Sequence, residues 1–283
     1  MGGFAHLGFL HVLQQYQRLN CVDTWVGCSI GASVCLLCAL GYTPKDIYER
    51  CQCLDENIFT FKATGDLLSS KGMDDGEYIK AFLYDAIMGA GLAPSLTFAE
   101  LKKSKGRRLI VCATDVKSCT PVYFTPETHG DVPVVQAVRA SMGVPILLTP
   151  TVRLFCKRQE MLSDGGIMDN FPIKFALSDF GARYGTSNAV LSVIGCNLVS
   201  PPTKEIADLK QFLFAVWACI RRQHADDSPC TVNVEVSDWE SFNFSASEST
   251  RKRLFDSGVQ ATQVYLQSIH ARARPALERR RSV

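Results

Sequence analysis

The sequence predicts an α/β fold, with three layers, α/β/α, around a mainly parallel central sheet. Three observations lead there. Short apolar, strand-like runs alternate with helix-period segments along most of the chain. A glycine-flanked turn joins the first of these runs directly to an apolar helix. The 283 residues, 47% hydrophobic and 20% charged, have the composition of a chain that buries a substantial core in one large domain.

The elements follow in order. Phe4, Leu7, Leu10, Leu13 and Tyr16 recur at helical spacing and open the chain with a helix. Residues 22–26 read as a short buried strand, and residues 32–40 as an apolar helix stopped by Gly41. Pro44 starts the next helix. Residues 55–75 are turn-rich but carry Ile58, Phe59, Phe61, Leu67 and Leu68, a set that suits a satellite core or, exposed, a lid. Helix returns over 77–88. Thr97 and Glu100 stand at capping-box spacing before a short helix. Residues 108–114 and 121–125 form two pairing strands, 134–141 a helix and 152–155 a short strand. A glycine turn over 163–170 leads to a helix at Pro172. A strand is expected at 190–195, a long helix at 206–222, a last strand at 231–236 and a closing helix from Glu248 to about residue 271. Residues 1–271 then form one domain. Residues 272–283, with Arg272, Arg274, Arg279, Arg280 and Arg281 against Glu278, form a basic, disordered tail.

Several function classes drop out. A net charge of +2 gives no field for a nucleic-acid partner. The 12 cysteines sit in apolar segments, as expected of buried thiols in an intracellular, cytoplasmic protein, and neither Cys35-x-x-Cys38 nor Cys51-x-Cys53 has a second pair at zinc spacing. No metal is therefore predicted. No apolar run approaches the roughly 20 residues of a membrane span, so any membrane contact is expected to be peripheral.

The chemistry centres on Gly27-Cys28-Ser29-Ile30-Gly31, a G-x-S-x-G sequence between strand and helix. Glycine is needed on both sides because side chains would collide in the tight turn, which lifts the serine hydroxyl out of the sheet and sets it at a helix N-terminus, where free N–H groups face an oxyanion. A hydroxyl needs a base within hydrogen-bond reach. One route is a triad through His224 or His270. The other is direct use of an aspartate, for which Ser163-Asp164-Gly165-Gly166 is suited, because two glycines let the carboxylate project from a tight loop. Asp115 and Asp169 are rival bases without that context.

These motifs together resemble the patatin-like phospholipase family. Asp164-Gly165-Gly166 followed by Ile167-Met168-Asp169-Asn170-Phe171-Pro172 is similar to that family's catalytic-aspartate segment, and Arg139-Ala140-Ser141-Met142-Gly143-Val144-Pro145 to its stretch between the two catalytic motifs. Ala5-His6-Leu7-Gly8-Phe9-Leu10, Gly41-Tyr42-Thr43-Pro44, Cys112-Ala113-Thr114-Asp115 and Leu254-Phe255-Asp256-Ser257-Gly258 extend the likeness in the right order. The resemblance implies a Ser29–Asp164 dyad without a catalytic histidine, an acyl-enzyme, an oxyanion donor at the Ile30 N–H, and no cofactor. It implies glycerolipid or phospholipid substrates met at a peripheral membrane or lipid-droplet surface. The family's oxyanion loop is glycine-rich and follows the first strand. Here only Gly2 and Gly3 stand for that loop, without the earlier glycines or the preceding strand. Loss of an oxyanion donor costs about 3–4 kcal/mol of barrier. Three readings of this departure stay open: a variant of a longer enzyme, a minimal loop made by Gly2 and Gly3, or a catalytically impaired lipid- or protein-binding module on the same fold.

Overall fold

The structure, a computed structural model, describes residues 2–52, 71–155, 158–186, 189–201, 206, 209–222, 228–237 and 247–281. In chain order the elements are α1 (Gly3–Gln15), β1 (Thr24–Cys28), α2 (Ile30–Leu40), α3 (Pro44–Gln52), β2 (Gly72–Asp74), α4 (Glu77–Gly89), α5 (Phe98–Lys105), β3 (Arg108–Asp115), β4 (Thr120–Phe124), α6 (Val134–Ser141), β5 (Ile146–Leu148), β6 (Thr151–Phe155), β7 (Arg158–Asp164), α7 (Ile173–Tyr184), α8 (Ala189–Ser192), β8 (Gly195–Val199), α9 (Leu209–Arg222), β9 (Thr231–Glu235) and α10 (Glu248–Arg281). The expected α/β class stands. Of the apolar set between 55 and 75, every member lies in residues 53–70, outside the described residues.

Strand β3 is the axis of the central sheet. Every one of its residues is buried, as its near-continuous apolar run requires. On one side it pairs parallel with β1, Cys28 opposite Cys112. Farther along that same edge it pairs antiparallel with β7, Ala113 opposite Asp164, and along its other edge with the hairpin strand β4. β6 extends the sheet antiparallel to β7. The short connections β3–β4 and β6–β7 allow only antiparallel pairing, whereas β1 reaches β3 through helices and pairs parallel. β2–β5 and β8–β9 form two further parallel pairs.

Packing follows the helix patterns. α2 is apolar almost all round, and its Leu36 and Leu37 are fully buried. Burial of each such leucine is worth roughly 2 kcal/mol. Gly41 ends α2 in the left-handed conformation at φ 107°. α5 starts on the expected capping box, Thr97 and Glu100 exchanging side chain and backbone bonds. α1 and α10 cross in backbone contact: a Cβ at Gly8 would overlap the Phe255 carbonyl, and one at Gly258 would overlap that of Ala5. Arg108, at the start of β3, holds Glu127 and the α7 residue Asp179, and so ties α7 to the sheet.

Three expectations shift. The strand placed at 190–195 is α8 followed by β8. Val190 and Leu191 stay exposed, and the pairing that earns burial is that of Gly195–Val199 with β9. Pro172 caps α7 instead of beginning it. The closing helix does not stop near 271 but runs on to Arg281, through the good helix formers alanine, leucine, glutamate and arginine and past Pro275, which disfavours a helix interior. Among the described residues, no helix is long and apolar enough to cross a membrane.

Candidate active site

Ser29 stands between the end of β1 and the first turn of α2, at φ 54° and ψ −129°. A non-glycine residue adopts this conformation only when its surroundings enforce it. Gly27 is one enforcing feature: a Cβ there would lie 2.6 Å from the Ala32 Cα and from the Gly31 carbonyl oxygen. Gly31 is different. The nearest atom to a Cβ at Gly31 is His6 Cε1 at 3.9 Å, so the expected collision on that side of the serine does not exist. As a helical residue, Gly31 borders open space instead of backbone.

The structure brings Ser29 and Asp164 together. Ser29 Oγ donates to Asp164 Oδ2 at 2.5 Å, a distance typical of a hydroxyl bound to a carboxylate. Asp164 is 1% exposed at the end of β7, and its Oδ1 accepts the Gly166 N–H at 2.8 Å. The two glycines after it serve separate ends. A Cβ at Gly165 would overlap the Cys112 carbonyl, and one at Gly166 would come within 2.9 Å of Asp164 Oδ1 and 3.0 Å of Asn170 Oδ1. The turn itself is a 3-10 segment, Gly165–Ile167, with the Asp164 side chain as its cap.

Other groups near the site are committed elsewhere. The Cys28 thiol, hydrogen-bonded with Cys112 and buried, is pushed well above its ordinary pKa, which keeps it protonated and unreactive. Asp169 accepts the Tyr123 hydroxyl at 2.6 Å, and Tyr123, buried and bound to that carboxylate, is raised above its usual pKa. Burial works to raise Asp115, but hydrogen bonds from Ser118, Met161 and Lys117 and the charge of Arg158 hold it below the usual carboxylate range. Residue His224 is outside the described residues, and of His270 only the helical backbone is described. Among the described residues, no three or more His, Cys, Asp or Glu side chains gather as a metal site.

Gly2 and Gly3 lie beside the serine turn. Gly2 precedes α1, and a Cβ at Gly3 would sit 3.1 Å from Ile30 Cγ1, so the starts of α1 and α2 are adjacent. The first N–H groups of both helices lack intrahelical acceptors. Both sites open on a cavity of about 1280 Å³. Its lining includes Ser29, Asp164, Leu10, Met142, Phe171 and Trp217. It also runs along β1, whose pairing partner among the described strands is β3 alone, and along β8.

Sequence reasoning did not find β7, the strand that delivers Asp164. Its sequence, Arg-Gln-Glu-Met-Leu-Ser-Asp, is polar at the exposed hairpin end and carries little apolar alternation. Nor did it assign a role to Ser141 or Gly143, although both lie in the stretch singled out between the two motifs. Trp217 of α9 is buried, and its ring packs at the Asp-Gly-Gly turn, 3.5 Å from a Cβ placed at Gly166.

Comparison with known proteins adds the following. The family model for patatin-like phospholipase matches residues 1–177. A protein of Invertebrate iridescent virus 6, named as a probable lipid hydrolase, 463L, is 30% identical over 181 residues, 62% of this chain and 60% of that protein. In fold, the chain is similar to VipD from Legionella pneumophila, with a TM-score of 0.53 at 17% identity over 94% of this chain and 65% of that one. The type III effector protein ExoU gives a TM-score of 0.49 at 14% identity, covering 94% of this chain and 51% of that one. The chain thus spans less than two thirds of the length of each of these proteins.

Proposed function

Because the chain belongs to the patatin-like phospholipase family, we propose that it is a lipid acyl hydrolase cleaving carboxylic esters of glycerolipids through Ser29 and Asp164. The observation that carries this reading is the 2.5 Å hydrogen bond from Ser29 Oγ to a buried carboxylate. Ser29 Oγ attacks the ester carbonyl carbon as its proton passes to Asp164 Oδ2. The tetrahedral oxyanion lies against the free N–H groups at the start of α2, Ile30 and Gly31, and at the start of α1, Gly2 and Gly3. Asp164 returns the proton to the departing alcohol, leaving an acyl-enzyme. Water, deprotonated by Asp164, then attacks the acyl carbon and releases the fatty acid and the free serine. The Gly166 N–H on Oδ1 holds the carboxylate so that Oδ2 stays turned to the serine. The cavity beside the pair takes the acyl chain, and the enzyme meets its substrate at a membrane or lipid-droplet surface without a cofactor.

The test is release of fatty acid from phosphatidylcholine vesicles by the wild type, Ser29→Ala, Asp164→Asn, Asp115→Asn and Asp169→Asn, each checked for folding by circular dichroism. Hydrolysis by the wild type, its loss by at least about 1000-fold in the first two variants, and its retention in Asp115→Asn support the reading. Activity in Ser29→Ala equal to the wild type would overturn it. A folded, inactive wild type that still binds vesicles would favour a catalytically silent binding module.

A further inference from the structure

The turn that ends α6, residues 141–143, bonds to both halves of the Ser29–Asp164 pair. Ser141 is fully buried. Its Oγ accepts the Ser29 backbone N–H at 2.8 Å and donates to the Cys112 carbonyl at 2.5 Å. Two residues on, the Gly143 carbonyl accepts the Asp164 N–H at 2.9 Å and the Ser163 hydroxyl at 2.7 Å. The pair needs such a link. Ser29 follows β1 and Asp164 ends β7; the two strands lie end to end along one edge of β3, Cys28 opposite Cys112 and Asp164 opposite Ala113, and among the described residues no ladder pairs one with the other. Two strand ends that share no ladder are not held at a fixed distance by the sheet's own hydrogen bonds. The turn joins the two strand ends by gripping the residue after β1, β3 and the end of β7. It is anchored in turn by Arg139, which is 2% exposed and donates to the Asp75 and Thr149 carbonyls.

We infer that residues 141–143 form a bracket that sets the Ser29–Asp164 distance, with Ser141 as a positioning residue for the reaction proposed above. The Ser141 hydroxyl accepts from one backbone group and donates to another, which an alanine side chain cannot do. Alanine leaves a buried N–H and a buried C=O without partners, at the residue whose backbone is held in an unfavourable conformation. The bracket has a second consequence. Because the Ser29 N–H is taken by Ser141, it is not offered to an oxyanion, and the donors must come from residues after the serine and from the start of α1.

This inference rests on the hydrolase reading, and the experiment separates the two. In Ser141→Ala and Ser141→Thr, kcat and KM on a water-soluble p-nitrophenyl ester are measured together with amide hydrogen exchange at Ser29. Thr262→Ala, a buried hydroxyl deletion on α10 far from the pair, controls for lost stability. The expected result for Ser141→Ala is a kcat lower by 10- to 100-fold with KM within threefold, faster exchange at the Ser29 amide, and partial return of both in Ser141→Thr. Thr262→Ala should keep kcat. If Ser141→Ala does not fold, Ser163→Ala, which removes one bond to Gly143, should lower kcat three- to tenfold. Unchanged kcat and unchanged Ser29 exchange in a folded Ser141→Ala would overturn the bracket. If the wild type itself does not hydrolyse the ester, the hydrolase reading fails, and the exchange measurement alone decides the bracket.

Discussion

On the carboxylate side of Ser29 the glycines are packed against backbone, whereas at the starts of α1 and α2, Gly3 and Gly31 meet only side chains or open space. Gly165 meets the Cys112 carbonyl, Gly166 meets Asp164 and Asn170, and Trp217 closes over the turn. Gly31 has only a histidine carbon at 3.9 Å, and Gly3 meets side-chain carbons of Ile30 and Val34, the nearest at 3.1 Å, but no backbone. The same residue type therefore does two jobs within one site. On one side it allows the close approach that holds the hydrogen bond between Ser29 and Asp164. On the other it leaves room and exposed helix N–H groups beside the cavity, where a substrate carbonyl would lie. A glycine motif read from sequence does not distinguish these two uses.

The largest effects should separate the two sides. Gly27→Ala and Gly165→Ala force a methyl into backbone and are expected to cost about 4 kcal/mol or more, a fall in melting temperature of roughly 10 °C, or to prevent folding. Gly31→Ala should leave stability unchanged or raise it by up to about 1 kcal/mol, since alanine is the better helix former. Thermal melts of the three variants check this. A Gly31→Ala loss as large as that of Gly27→Ala would break the comparison.

A smaller effect should touch the carboxylate side through its support. α7 follows the Asp-Gly-Gly turn and is pinned by Arg108, which also holds Glu127. The hydrogen bond from Arg108 lowers the Glu127 carboxyl from 4.5 to about 2. The folded value lies below the unfolded one, so this stabilisation is complete above about pH 4.5 and is lost as pH falls toward 2. Glu127 is partly exposed, and solvent screening keeps the effect small. Melting temperatures recorded between pH 5 and pH 3 should fall less steeply in Glu127→Gln than in the wild type; equal slopes would count against the linkage.

Much of this was legible in the sequence because it is local. The G-x-S-x-G turn between strand and helix, the capping box at Thr97, the end of α2 at Gly41 and the Asp-Gly-Gly turn each depend on a few neighbouring residues. What escaped depends on contacts distant in sequence. β7 is a strand because β3 and β6 pair with it, not because its own residues alternate. Ser141 matters because Ser29, 112 positions earlier, needs an acceptor. The steric reason assigned to Gly31 was mistaken because α2 carries that residue away from the turn's crowded side. β8 was placed early because Val190 and Leu191 look like strand residues while the partner that would bury them, β9, begins pairing only at Gly195.

The account's central claim is that Ser29 is a nucleophile activated by Asp164. Its most direct test is intact-mass analysis after exposure to a fluorophosphonate, with the adduct mapped by peptide sequencing. The wild type should gain one adduct, on Ser29. Asp164→Asn, folded, should label at least about 100-fold more slowly, and Ser29→Ala should gain none. A folded wild type that gains no adduct, or gains it on another residue, would contradict the claim.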